Sequence, residues 1–67
     1  MKVIDYELQF KGLNDTDFAA MDEITFWNLR RKFDNPKQAF TYAARREALG
    51  CGVAFAKYGL DYYVWSE

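Results

Sequence analysis

The residues best able to do covalent or acid–base chemistry are one thiol and a few neighbouring carboxylates. Cys51 stands between two glycines, Gly50 and Gly52, where the backbone is open enough for a thiolate to meet a substrate. A nucleophilic cysteine needs a base or a nearby positive dipole to lower its pKa. The chain has no histidine, which removes the usual general base and the commonest metal ligand. Cys51 also follows a predicted helix rather than preceding one, so the helix dipole opposes the thiolate. Asp15 with Asp17, and Asp22 with Glu23, are carboxylate pairs by spacing. Neither pair is accompanied by a second set of groups that would complete an active site. The Asp15–Asp17 spacing also lacks the glycine and distal glutamate of a calcium loop. We therefore expect no catalytic residue, no metal site and no cofactor.

Binding chemistry is better supplied. Aromatic residues make up 19% of the 67 positions, more than so small a core requires. They crowd the C-terminal run Tyr58-Gly59-Leu60-Asp61-Tyr62-Tyr63-Val64-Trp65. Tyrosine and tryptophan combine apolar area with a polar handle and are frequent anchors at interfaces. Tyr63 and Trp65, with Asp61, Asp5 and Glu7 around them, would make an aromatic platform with an acidic rim, suited to a basic protein surface. Ile24 and Trp27, with Ala20, form a helical stripe that could dock in a partner's groove or cover a second helix.

The formal net charge is −1, but the charges are segregated. Asp15, Asp17, Asp22 and Glu23 precede residue 24. Arg30, Arg31, Lys32, Lys37, Arg45 and Arg46 fall in the following stretch, with Asp34 the lone acid among them before Glu47. Solvated helix ends explain much of this pattern, because acids favour helix N-termini and bases favour C-termini. The basic set is also the candidate nucleic-acid surface, since phosphate binding takes several cations in one footprint. Two helices followed by a hairpin would give it the outline of a winged helix-turn-helix, although Phe33-Asp34-Asn35-Pro36 lacks the glycine common in that turn.

These residues must be positioned by one small domain. A chain this short buries only about 60% of its unfolded surface, and a single cysteine offers no intrachain disulfide. Residues 3–10 alternate, with Ile4, Tyr6, Leu8 and Phe10 on one side, which predicts a strand ended by Gly12 and Asn14. Asp15 or Thr16 is the expected cap of a helix. Phe18, Met21, Phe26, Leu29 and Phe33 form one stripe of that helix and Ala20, Ile24 and Trp27 the other, unless the chain breaks near residues 22–25. Asn35-Pro36 predicts a second helix reaching about Leu49, stopped by Gly50, with Ala39, Phe40, Ala43 and Ala44 inward. Val53–Lys57 and Leu60–Trp65 predict a hairpin. In it, Val53, Phe55, Leu60, Tyr62 and Val64 face one way, and Ala54, Ala56, Asp61, Tyr63 and Trp65 the other.

The resulting expectation is an α+β domain of order β-α-α-β-β: a three-stranded antiparallel sheet with both helices on one face. No segment approaches the roughly 18–20 apolar residues of a membrane span. The N-terminus lacks a signal-peptide core, and a lone cysteine suits a reducing, cytoplasmic setting. The functional expectation is a non-enzymatic protein-binding module, monomeric or homodimeric. It would be a small inhibitor, adaptor or subunit of a larger protein or complex, of the size that phages and mobile elements often encode. The alternative is a small nucleic-acid-binding transcriptional regulator using the basic residues of helices 30–46.

Overall fold

The computed structural model describes residues 5–23 and 27–67. It is an α+β domain with two helices and a four-stranded mixed sheet. The strands are β1 (Lys11–Leu13), β2 (Leu29–Phe33), β3 (Val53–Tyr58) and β4 (Asp61–Ser66), and the helices are α1 (Asp15–Asp22) and α2 (Pro36–Ala48). The sheet order is β1-β3-β4-β2. β1 runs parallel to β3, while β4 is antiparallel to both β3 and β2. This replaces the expected three-stranded antiparallel sheet.

The first correction concerns residues 3–10. Residues 3 and 4 lie outside the described part, and Glu7–Gln9 form a single turn of 3-10 helix. Asp5 Oδ1 accepts the backbone N–H of Glu7 at 3.2 Å, a local turn that competes with strand pairing. Tyr6 and Phe10 are four apart, a spacing that keeps one side in a helical turn as well as in a strand. Tyr6 meets Phe40 edge-on at 5.4 Å, and Phe10 is buried between Phe55 and Tyr62, each 5.1 Å away. Leu8, inward in the alternating reading, is instead 78% exposed. The strand itself begins only at Lys11.

The second correction is β2. Leu29–Phe33 were expected to be helical, either continuing the first helix or following a break near residues 22–25; α1 does end at Asp22, but the chain then re-enters the sheet as a strand. Leu29 and Phe33 are also four apart, so their spacing suits either structure. The sheet decides. Val64, Trp65 and Ser66 of β4 are at most 1% exposed, and a buried strand needs hydrogen-bond partners along both edges. β3 supplies one edge and β2 the other. The winged helix-turn-helix outline considered for the nucleic-acid alternative is therefore not formed, since Arg30, Arg31 and Lys32 lie on a strand.

The capping signals operate locally. Asn14, not Asp15 or Thr16, caps α1, its Oδ1 accepting Asp17 N–H at 2.7 Å. Asn35 caps α2 by accepting Lys37 N–H at 2.8 Å and Gln38 N–H at 3.2 Å, with Pro36 opening the helix. Gly50, at φ 86°, ends it. Its N–H donates to Glu47 C=O and that of Cys51 to Arg46 C=O, the paired bonds of a Schellman stop. Gly59, at φ 64°, occupies the first central position of the Tyr58–Asp61 turn, as a tight type II′ hairpin requires.

The hairpin faces follow the expected alternation, except that Leu60 lies in the turn and is 89% exposed. Val53, Phe55, Tyr62 and Val64 face α2. Ala39 and Ala43 are almost fully buried there and let the helix approach closely, with Phe33, Phe40, Tyr42 and Phe55 around them. Ala44, expected inward, is exposed. The helices do not share a face. Phe18 of α1 stacks on Tyr58 at 4.1 Å and meets Tyr63 at 4.8 Å and Trp65 at 5.8 Å on the opposite side. That side carries too many rings to remain in water, so α1 covers it as the chain crosses from β1 to β2. α2 covers the other side on the return to β3.

Candidate binding groove

Charge and aromatic surface come together where β2 turns into α2. A groove of about 540 Å³ is lined by the rings of Phe33 and Tyr42, the amides of Asn35 and Gln38, and Lys37, Thr41 and Arg45. Lys37, Thr41 and Arg45 follow one another at four-residue spacing, so they form a stripe about 12 Å long on the outer side of α2. Arg31, at the edge of the sheet, holds its guanidinium 5.1 Å from the Tyr42 ring centre and 5.7 Å from that of Phe33. These separations fall within cation–π range. The two rings lie 5.5 Å apart at 45°.

The charge in this groove is unbalanced. Among the described residues the ion pairs are Arg30–Asp22 at 2.8 Å and Lys57–Glu7 at 3.1 Å. Neither involves Arg31, Lys37 or Arg45. Three cations beside two rings and several uncharged hydrogen-bonding groups make a site that attracts anionic groups and offers apolar contact beside them.

The basic residues singled out in the sequence thus divide. Lys37 and Arg45 line the groove, and Arg31 lies against its Tyr42 and Phe33 rings. Lys32 is exposed on the same strand but projects from the α1 side, opposite Tyr63 in register. Arg30 is held by Asp22 and lies 5.8 Å from both the Phe18 and Tyr63 rings. Arg46 is an internal tie rather than part of a patch. Its Nε donates to Ser66 Oγ and its Nη2 to Glu67 C=O, each at 3.0 Å, fastening α2 to the chain end.

The aromatic platform is not open. Trp65 is 1% exposed and its Nε1 donates to Asp22 Oδ1 at 3.3 Å. Tyr63 is half-buried beneath Phe18 and stacks on Trp65. Asp5 and Glu7 do not border these rings. Glu7 Oε1 instead accepts from Lys57 Nζ at 3.1 Å and from the Tyr62 hydroxyl at 3.3 Å, and Tyr62 points to the α2 side. The hydrogen bond and charge of Lys57 hold the Glu7 carboxyl below its usual range, and Glu7 in turn raises Lys57. Asp61 is half-buried at the hairpin turn. The Tyr58 hydroxyl donates to Asp15 Oδ1 at 2.6 Å, which raises its own pKa. Trp27 is half-buried just before β2, and Ile24 lies outside the described residues.

Sequence reasoning missed Phe33 and Tyr42 as groove residues. Phe33 was placed in a helix, and Tyr42 carried no assignment. A usable signal was present in the four-residue stripe Lys37-Thr41-Arg45, with Tyr42 alongside. A second, smaller notch of about 190 Å³ lies between α2 and β3, lined by Phe40, Ala43, Ala44, Glu47, Val53 and Phe55. Among the described residues, no three Cys, Asp or Glu side chains are grouped to hold a metal ion, and no helix is long and apolar enough to cross a membrane. No family model matches the chain, and no curated protein or solved structure shows significant similarity to it.

Proposed function

We propose that the chain is a non-enzymatic binding module that acts by occupying an acidic surface of a larger protein, as a small inhibitor, adaptor or subunit in a cytoplasmic setting. One observation carries this reading. Lys37 and Arg45 line a groove beside Phe33 and Tyr42, and Arg31 lies over those two rings, none of the three having a carboxylate partner among the described residues. Acidic groups of a partner would supply the missing counter-charges and steer the encounter. Phe33 and Tyr42 would add contact area. The working surface is therefore the groove rather than the Tyr63 and Trp65 rings, which α1 covers.

The test is capture from nuclease-treated lysate by the tagged protein and by its Arg31→Glu/Lys37→Glu/Arg45→Glu variant. A protein partner retained by the parent and lost by the variant supports the reading. Equal capture by both rules the groove out. A second reading, single-stranded nucleic acid, is favoured by the two rings beside the cations, because bases stack on such rings while phosphates meet Lys and Arg. It predicts capture that nuclease abolishes and affinity that falls steeply with salt.

A further inference from the structure

The groove adjoins Phe33, the last residue of β2, which is the terminal strand of the sheet among the described residues. Leu29, Arg30, Arg31 and Lys32 are all exposed. We propose that β2 accepts an added strand, an extended acidic segment of a partner protein that pairs along the edge away from β4, which no described strand occupies. This inference rests on the groove reading above and specifies the partner's chemistry.

Three features select that occupant. First, β2 presents cations on both faces of the sheet, with Arg31 on the α2 side and Arg30 and Lys32 on the α1 side, by their register with Val64, Trp65 and Tyr63. Side chains directly opposed across neighbouring strands lie about 4.5–5.5 Å apart at Cβ, close enough for opposite charges to pair. An acidic strand is therefore matched on either face. On the α2 side its carboxylates also reach toward the groove held by Lys37 and Arg45.

Second, the same charges reject a second copy of this strand. Antiparallel self-pairing centred on Arg31 would set Arg31 against Arg31 and Arg30 against Lys32, like charges directly opposed. Cations on an edge strand commonly serve as protection against self-association. Here they also discriminate in favour of an acidic partner.

Third, one of these cations already takes a carboxylate, supplied by the end of α1 rather than by a strand. The Asp22 carboxylate takes Arg30 at 2.8 Å beside β2, while Arg31 and Lys32 have no such partner among the described residues. Nucleic acid would engage the cationic side chains but leave the outward backbone N–H groups of β2 without strand partners. The backbone is therefore the discriminating observable.

The test uses the full chain, isotope-labelled, and three probes. One is a short end-capped peptide of alternating Glu and Val. The second is the same peptide with alternate backbone amides methylated, and the third is an oligothymidylate. The expected result is binding of the first peptide with slowed hydrogen exchange at the outward amides of Leu29–Phe33. Methylation should weaken binding at least about tenfold, since it removes several backbone hydrogen bonds. The exposed Arg31→Glu/Lys32→Glu variant should instead prefer a Lys–Val peptide.

Equal binding of both acidic peptides without protection of β2 would overturn strand addition and leave the groove reading intact. Binding of the oligothymidylate alone would overturn both in favour of nucleic acid. Failure of all three probes at millimolar concentration would overturn strand addition.

Discussion

Phe18 is the residue on which the covering of the second sheet face depends. α1 has no fully buried residue, and Phe18 joins it to Tyr58, Tyr63 and Trp65. Truncation of a fully buried Phe to Ala costs about 3–5 kcal/mol. Phe18 is half-buried, so Phe18→Ala should cost less, about 2–3 kcal/mol. In a domain of this size each kcal/mol moves Tm by roughly 4–8 °C, so the expected fall is about 10–20 °C. The assay is thermal and urea unfolding in a Trp27→Phe background, where Trp65 is the lone tryptophan. In that background Trp65 should emit in the blue and resist acrylamide. Phe18→Ala should shift the emission to the red and admit quencher before global unfolding. A Trp65 that is solvent-exposed before Phe18 is removed would refute the placement of α1. So would a Phe18→Ala variant with unchanged emission and unchanged Tm.

Further outcomes follow from the cap of α2 and the Glu7 cluster. Asn35→Ala removes the side-chain acceptor of two N–H groups at the start of α2 and should lower stability by about 1–2 kcal/mol, read as a drop in the urea midpoint with unchanged slope. The Lys57 hydrogen bond and charge hold Glu7 below its ordinary carboxylate value of 4.5 in the folded chain, so its stabilising contribution is complete above that value and is lost as pH falls through the lowered one. Glu7→Gln should remove that part of the acid dependence of Tm, and an identical acid limb in the variant would disprove the Lys57 linkage. Tyr58 is shifted upward from 10.0 by Asp15, so its contribution is present below pH 10 and declines above it. Tyr58→Phe should flatten that alkaline decline, and an unchanged alkaline limb would count against the Asp15 contact.

Local signals in the sequence carried through where backbone chemistry was decisive. Asn35-Pro36, Gly50 and Gly59 marked the limits of α2 and the hairpin because a cap, a fixed proline φ and positive-φ glycines restrict the chain over a few residues. The alternation of Val53–Trp65 likewise set the two faces of the hairpin. What was not legible depended on tertiary pairing. Tyr6 and Phe10, and Leu29 and Phe33, are four apart, a spacing shared by strand and helical turn. An Asp5 turn resolved the first pair and the open edge of β4 the second.

The same ambiguity obscured the site. With 24–33 read as helix, Arg31 and Phe33 could not be placed beside Tyr42. With both helices on one face, Trp65 was left uncovered. Once β2 is an edge strand and the helices lie on opposite faces, the ring-rich side closes and the basic groove stays open.

The groove, not the Tyr63 and Trp65 side, is proposed to meet the partner. Site-specific photocrosslinking tests it most directly. A photoreactive phenylalanine is placed at Thr41, which lines the groove and is exposed, or in a second protein at Tyr63. Both are irradiated in nuclease-treated lysate. A discrete protein adduct is expected from position 41 and none from position 63. An adduct from position 63 with none from position 41 would contradict it and return the working surface to the aromatic face.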